Sequence, residues 1–223
     1  MNTTLNVNLA LRRMVSLVAL AFFAFTSNGC DFIASKLGVD EVDVPTSSFA
    51  SSVNLVPDQT TLVEGKVNLS SVKLPDIFDV DEVILSPDYF TFTPSAASAL
   101  GKTSASGQII LLLLVNNLPV AYATITIKDD KVTDITPKEL KLTAKVLKAQ
   151  VDAMIAKTPE PNRTKLGNAI KASGWETLTL AQVVAAINQA VKSAEPTVSV
   201  ALLPNSTITG KLNVSKLRFG LKF

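Results

Sequence analysis

The chain has 223 residues, of which 47% are hydrophobic, with a formal charge of +2, one cysteine and no histidine. The missing histidine excludes Ser-His-Asp and Cys-His catalysis and the common zinc sites, and a single cysteine forms no intramolecular disulfide. We therefore expect no enzymatic activity, no catalytic residues, no metal site and no cofactor.

Charge is distributed unevenly along the chain. Residues 31–100 contain eleven acidic and three basic residues, whereas residues 101–223 contain eight acidic and sixteen basic residues. Such asymmetry arises from a basic binding surface or from an acidic half that packs on a basic half, and we favour the second. The lysines are scattered and lack interleaved aromatic residues, so we expect no nucleic-acid partner.

The first thirty residues have the order of an export signal. Arg12 and Arg13 precede an apolar run at residues 14–25, which is followed by small and polar residues and then by Cys30. The run is shorter than the roughly 20 apolar residues that a permanent membrane helix needs, so we expect it to be cleaved.

This segment resembles the bacterial lipoprotein signal, in which cleavage falls directly before a cysteine that carries acyl chains. Gly29 and Cys30 match the end of that motif, whereas Ser27 stands where the family usually has leucine. The resemblance implies a signal peptide over residues 1–29, lipidation at Cys30, and attachment to the outer membrane of the cell envelope. Two alternatives stay open. One is an ordinary secretory signal cut at the same bond, and the other is the inner-membrane retention that Asp31 implies in enterobacterial lipoproteins.

The chain after Cys30 predicts a tether and then a β-rich domain. Residues 30–52 have little periodic apolar content and are predicted to be the lipidated cysteine and its tether, whereas residues 53–223 are predicted to form one domain. Residues 109–115 are apolar on both faces, which predicts a central strand. Alternating patterns predict strands at residues 62–74, 82–85, 89–93, 108–115, 120–128 and 131–135.

A helical insertion of about three helices is predicted at residues 136–194. Thr136, Pro137 and Glu139 have the spacing of a capping box with proline at the first helical position, which predicts a helix to about residue 157.

The second predicted helix spans residues 163–172, and the third begins after Thr179, where Gln182 completes another capping box. Trp175, between these two helices, is predicted to lie in the core. The third helix is predicted to bury Leu180, Val183, Val184, Ile187 and Val191.

Strands are predicted again at residues 198–203 and 207–223. The predicted fold is therefore α+β, an antiparallel β-sandwich-like domain with the helical insertion before its final strands.

Residues 65–73 and 210–218 align without a gap, and their apolar positions coincide. In both segments the apolar residues change from odd to even positions, or the reverse, at a serine, Ser70 or Ser215. Apolar residues stay on one face of a strand across such a change only if it contains an extra residue, so we predict equivalent strands with a bulge at the serine. This parity places Leu217 and Phe219 in the core.

Residues 96–103 resemble a phosphate-binding P-loop only at their end, because Ala96 stands where the first glycine is required. Lys102 with Ser104 or Ser106 has the residue types of a Ser/Lys hydrolase, but nothing in the sequence fixes their geometry. We expect no site in either case.

Four acidic residues lie close together in the sequence. They lack the alternating aspartates and the glycine of a calcium-binding EF-hand loop, so they predict a solvated turn between strands. They are Asp76, Asp79, Asp81 and Glu82.

We expect a cell-envelope lipoprotein with a non-catalytic binding or structural role. Its partners would be the membrane, through acyl chains on Cys30, and an unidentified envelope protein or hydrophobic ligand. The alternative is a carrier of a lipid or another hydrophobic ligand, because the amphipathic helices and the strand at residues 109–115 would cover a cavity. A Ser/Lys hydrolase is the least favoured hypothesis.

Overall fold

The computed structural model describes residues 41–45, 52–66, 79–95, 104–142, 145–193 and 196–222. These residues form twelve strands and three helices. The strands are β1 (Glu41–Pro45), β2 (Val53–Leu55), β3 (Thr61–Lys66), β4 (Asp79–Ile84), β5 (Phe90–Pro94), β6 (Gly107–Val115), β7 (Leu118–Lys128), β8 (Lys131–Thr136), β9 (Glu139–Lys141), β10 (Thr197–Pro204), β11 (Gly210–Val214) and β12 (Lys216–Lys222). The helices are α1 (Lys148–Ala156), α2 (Asn162–Ala172) and α3 (Leu180–Lys192).

The strands form three open sheets that share one arrangement. Their orders are β3-β10-β6-β7-β8, β2-β11-β5 and β1-β12-β4-β9. In each sheet, one of the strands β10 to β12 is an inner strand. Strand β10 lies between β3 and β6, β11 lies between β2 and β5, and β12 lies between β1 and β4. The pairs of β10 with β3 and β6, of β11 with β2 and β5, and of β12 with β1 are all antiparallel. The predicted α+β class, with mainly antiparallel sheets, is confirmed for the described residues.

Strand β6 is the centre of the five-stranded sheet. It pairs with β10 on one side and β7 on the other, and residues 111–115 are at most 1% exposed. Leucine and valine at successive positions point to opposite faces of a sheet, so both faces of β6 are covered. The prediction of a central strand at residues 109–115 is confirmed.

Two tight turns connect β6, β7 and β8. Asn116 and Asn117 have φ angles of 47° and 66°, and Asp129 and Asp130 have φ angles of 51° and 62°. Left-handed conformation at both central positions defines the hairpin turn that matches strand twist, and Asn and Asp tolerate it better than most residues. These turns fix the pairing of three consecutive strands.

The prediction that residues 30–52 form a tether is wrong for residues 41–45. They form β1, which pairs with β12 from Glu41 opposite Gly220 to Pro45 opposite Lys216. Val42 and Val44 alternate with acidic residues, which is a strand pattern. The acidic composition of the segment favours a tether instead, and the prediction followed the composition. The rest of the predicted tether up to residue 51, the signal segment and Cys30 lie outside the described residues.

The predicted helix start at Thr136 is wrong. Thr136 ends β8 opposite Thr124, and β9 follows it and pairs with β4. The N–H of Leu85 donates to the carbonyl of Lys138 at 2.7 Å, so this stretch is held by sheet hydrogen bonds. Tertiary pairing overrides the local capping pattern here, and the first helix begins only at Lys148.

The other two helices follow their predicted signals. Helix α2 ends before Gly174, which has a φ of +67°. At α3 the Thr179 Oγ1 accepts from the N–H of Gln182 at 3.3 Å, and the Gln182 Oε1 accepts from the N–H of Thr179 at 2.8 Å. Trp175, between them, is 2% exposed, so its predicted core position is confirmed.

Ser215 separates two strands that belong to different sheets. Its N–H and its hydroxyl both donate to the carbonyl of Tyr89, at 2.8 and 3.0 Å. Leu212 and Val214 are buried before it, and Leu217 and Phe219 after it, so the predicted parity change occurs as a break between β11 and β12.

The two echoing segments belong to different sheets where both are described. Gly65 and Lys66 lie in β3 of the five-stranded sheet, whereas Gly210 and Lys211 begin β11 of the three-stranded sheet. These positions do not occupy the equivalent strands that the sequence match predicts. Residues 67–73 lie outside the described residues.

Candidate functional site

An open apolar groove runs along the outer face of α3. Its volume is about 970 Å³. We call it the α3 groove. Its apolar lining consists of Leu142, Leu180, Ala181, Val184 and Ala185, and its polar lining of Asp79, Asn188, Gln189, Lys192 and Ser193.

Helix α3 carries an apolar stripe that is wider than the part covered by the core, which is why it lines a groove. Its inner face places Val183, Ile187 and Val191 in the core at helical spacing. Leu180 is instead 36% exposed, so the prediction that α3 buries it is wrong. Leu180 and Val184 continue the same stripe along the first turns of the helix, where no described element covers it fully.

Polar contacts attach α3 to β4 beside the groove. Asn188 is buried, and its Oδ1 accepts from the N–H of Val80 at 2.5 Å. Lys192 and Asp79 form an ion pair at 3.2 Å at one end of the lining. The charges that line the groove therefore balance each other, and its surface suits a hydrophobic occupant.

A smaller cleft of about 380 Å³ lies between α1 and α2. Its floor includes Val151, Ile155 and Ile170. On its rim, Asp152 and Glu176 both pair with the Nζ of Lys148, at 3.0 and 2.9 Å. The Nζ of Lys148 donates to both carboxylates, and these hydrogen bonds, that to Glu176 first and that to Asp152 second, raise the pKa of Lys148. The rim carboxylates are already engaged, so this cleft is the weaker candidate.

The residues considered for hydrolase chemistry lie in an ordinary turn network where they are described. The hydroxyl of Ser104 donates to Asp129 Oδ1 at 3.1 Å, and that of Ser106 accepts from the N–H of Asp129 at 3.2 Å. Lys102 and the rest of residues 96–103 lie outside the described residues.

The acidic group does not form the predicted turn. Asp79, Asp81 and Glu82 lie in β4, and Asp76 falls outside the described residues. Within the described residues, no cluster of three or more potential metal ligands occurs. No described helix combines the length and apolarity needed to span a membrane.

Glu82 has an environment that the sequence did not reveal. Its side chain packs on Gly220, where an added Cβ would lie 2.5 Å from the Glu82 Cγ. Its Oε2 is buried and makes no hydrogen bond with a described residue. Burial, then the charge of Glu139, raises the pKa of Glu82, while Lys141 lowers it. The one feature of the sequence that indicates this close approach is Gly220, which interrupts the alternation of basic and apolar residues at residues 216–223.

Comparisons with protein-family models, with curated proteins and with solved structures find no match to the chain. The function must therefore be inferred from the residues of the chain itself. The feature that is most informative about function is the exposed apolar lining of the α3 groove.

Proposed function

We propose that the chain is a cell-envelope lipoprotein with a non-catalytic binding or structural role, and that it binds a hydrophobic surface of an envelope partner in the α3 groove. The observation that carries the proposal is the exposed apolar face of α3. Exposed apolar side chains that line a concave surface favour binding of an apolar partner, because binding removes them from water. Acyl chains on Cys30 would hold the protein at the outer membrane, next to such a partner.

The proposed architecture of the body is a β-sandwich-like domain with a helical insertion. Two features support it. Burial alternates along β5 and β11, which is typical of strands with one covered face, and the three helices lie between β9 and β10 in the chain. The insertion would display α3 on a rigid β scaffold.

A carrier of lipid or another hydrophobic ligand is the second candidate. The volume of the α3 groove falls within the roughly 300–1,000 Å³ typical of small-molecule pockets. The groove is open, however, whereas carriers bury most of the ligand surface. This openness favours a protein partner.

Photo-crosslinking in intact cells tests the groove. A photoreactive residue at Ala185, in the groove, is expected to give one discrete protein adduct. The same residue at Ala149, an exposed position of α1 outside the groove, is the matched control. Equal labelling from both positions, or none from Ala185, would contradict a protein-binding groove, and lipid recovered from the purified protein would favour the carrier.

Intact-mass measurement tests the anchor separately. We expect the membrane-bound protein to begin at an acylated Cys30, and Cys30→Ala to block maturation. Ser27→Leu, which restores the residue usual in lipoprotein signals, is expected to mature normally. An unmodified Cys30 in the membrane fraction would rule the anchor out.

A further inference from the structure

Strand β1 is the edge of the four-stranded sheet and pairs with β12 alone among the described strands. Glu41 begins it opposite Gly220, and its carboxylate forms an ion pair with Arg218 of β12. The described contacts that dock β1 are a row of backbone hydrogen bonds to β12 and a charge pair at the start of the strand.

The other side of β12 faces β4, which contributes Glu82. Gly220 has no side chain, and Glu82 fills that space, with its Oε1 2.8 Å from where a Cβ would lie. The carboxylate therefore lies over the backbone position that pairs with Glu41. Its buried Oε2 has no hydrogen bond from a described residue, so the site offers little to stabilise a negative charge.

The neighbouring charges are arranged asymmetrically around Glu82. On the β9 side, the attraction of Lys141, the residue paired with Glu82, opposes the repulsion from Glu139. On the β1 side, Glu41 repels an ionised Glu82, and Arg218 is already engaged with Glu41. Among the described residues, the charged groups that act on Glu82 are Asp81 of β4, Glu139 and Lys141 of β9, and Glu41 of β1, and Arg218 of β12 pairs with Glu41.

We propose that Glu82 is a proton-dependent switch for β1: the neutral carboxyl lets β1 dock on β12, and ionisation weakens that docking. Loss of the proton places a second negative charge beside Glu41 without adding a partner for it. Strand β9 is affected less, because Lys141 offsets part of the repulsion from Glu139, whereas no attraction from a described residue of β1 offsets that from Glu41. Burial raises the pKa of Glu82, which moves the transition to higher pH than for an exposed glutamate.

Amide hydrogen exchange of the full chain, followed by mass spectrometry, tests the switch at about pH 5 and about pH 8 after correction for intrinsic exchange rates. We expect protection of residues 42–44 to fall about tenfold at the higher pH, and clearly more than that of β9. Glu82→Gln keeps the shape of the side chain without its charge, and its protection of β1 should be independent of pH. Glu64→Gln, on β3 of another sheet, should behave like the parent.

A pH dependence of β1 that persists in Glu82→Gln would overturn the proposal, as would equal loss of protection in β1 and β9. An NMR titration of the Glu82 carboxyl carbon in the parent gives a check that does not depend on folding of the variant. Its midpoint should coincide with the midpoint of the exchange transition, and a clear difference between the two would also overturn the proposal.

Discussion

The side chain of Asn188 in α3 accepts a hydrogen bond from the backbone N–H of Val80 in β4, with an N–O distance of 2.5 Å. This bond links a helix to a strand more than a hundred residues earlier in the chain. It also explains why a polar residue lies among the otherwise apolar buried residues of α3.

Asn188→Ala is expected to destabilise the protein, because it leaves the N–H of Val80 without its acceptor. The expected loss is about 1–3 kcal/mol of unfolding free energy, measured by denaturant titration. Gln189→Ala, at the exposed neighbouring position, should change stability little. Similar effects of the two substitutions would show that the bond contributes nothing specific.

Phe219→Ala should lower the unfolding free energy by about 3–5 kcal/mol, since Phe219 is 2% exposed in β12 and truncation leaves a cavity. Lys211→Ala, at an exposed position of the preceding strand, is the control. Thermal unfolding curves compare them. If Phe219→Ala melts with the parent, the last strand does not belong to the core.

Gly167→Ala in α2 should stabilise the protein by up to about 1 kcal/mol, because alanine favours the helix and a Cβ there would lie 3.8 Å from the Ile155 Cγ2. Gly210→Ala should destabilise it, since a Cβ would collide with the backbone carbonyl of Thr93. Chemical denaturation of both variants checks the opposite signs.

Stability should depend on pH through Glu82. Because folding raises the pKa of this carboxyl, the folded protein retains a proton that the unfolded chain releases. Unfolding free energy should therefore fall as pH rises from the ordinary pKa of glutamate to the raised one, and remain level above it. Denaturation at several pH values should show a shallower fall in Glu82→Gln, and an unchanged slope would argue against a raised pKa of the Glu82 carboxyl.

Strands β5 to β8, strand β10 and two of the three helices were predictable because local patterns decide them. Asn116 and Asn117 stand between two apolar runs, and Thr179 with Gln182 caps a helix wherever its neighbours permit one. Each of these patterns acts within a few residues, so the local structure that it predicts is also the structure in the folded protein.

The secondary structure at Thr136 and the exposure of Leu180 were predicted wrongly because both depend on residues that are distant in the sequence. The capping pattern at Thr136 competes with β9, whose partner β4 lies more than fifty residues earlier. Leu180 belongs to an apolar stripe, but periodicity does not say whether another element covers it. The burial of Glu82 was unpredictable for the same reason, as it requires knowing that Gly220 lies beside it.

The order of the sheets bears on when this protein can fold. Strands β10, β11 and β12 each occupy an interior position of a different sheet. A chain that is synthesised amino end first therefore lacks an inner strand of each described sheet until residues 197–222 have emerged. Contacts of such long sequence separation form slowly. The three described sheets should consequently be completed only after β10, β11 and β12 have been synthesised.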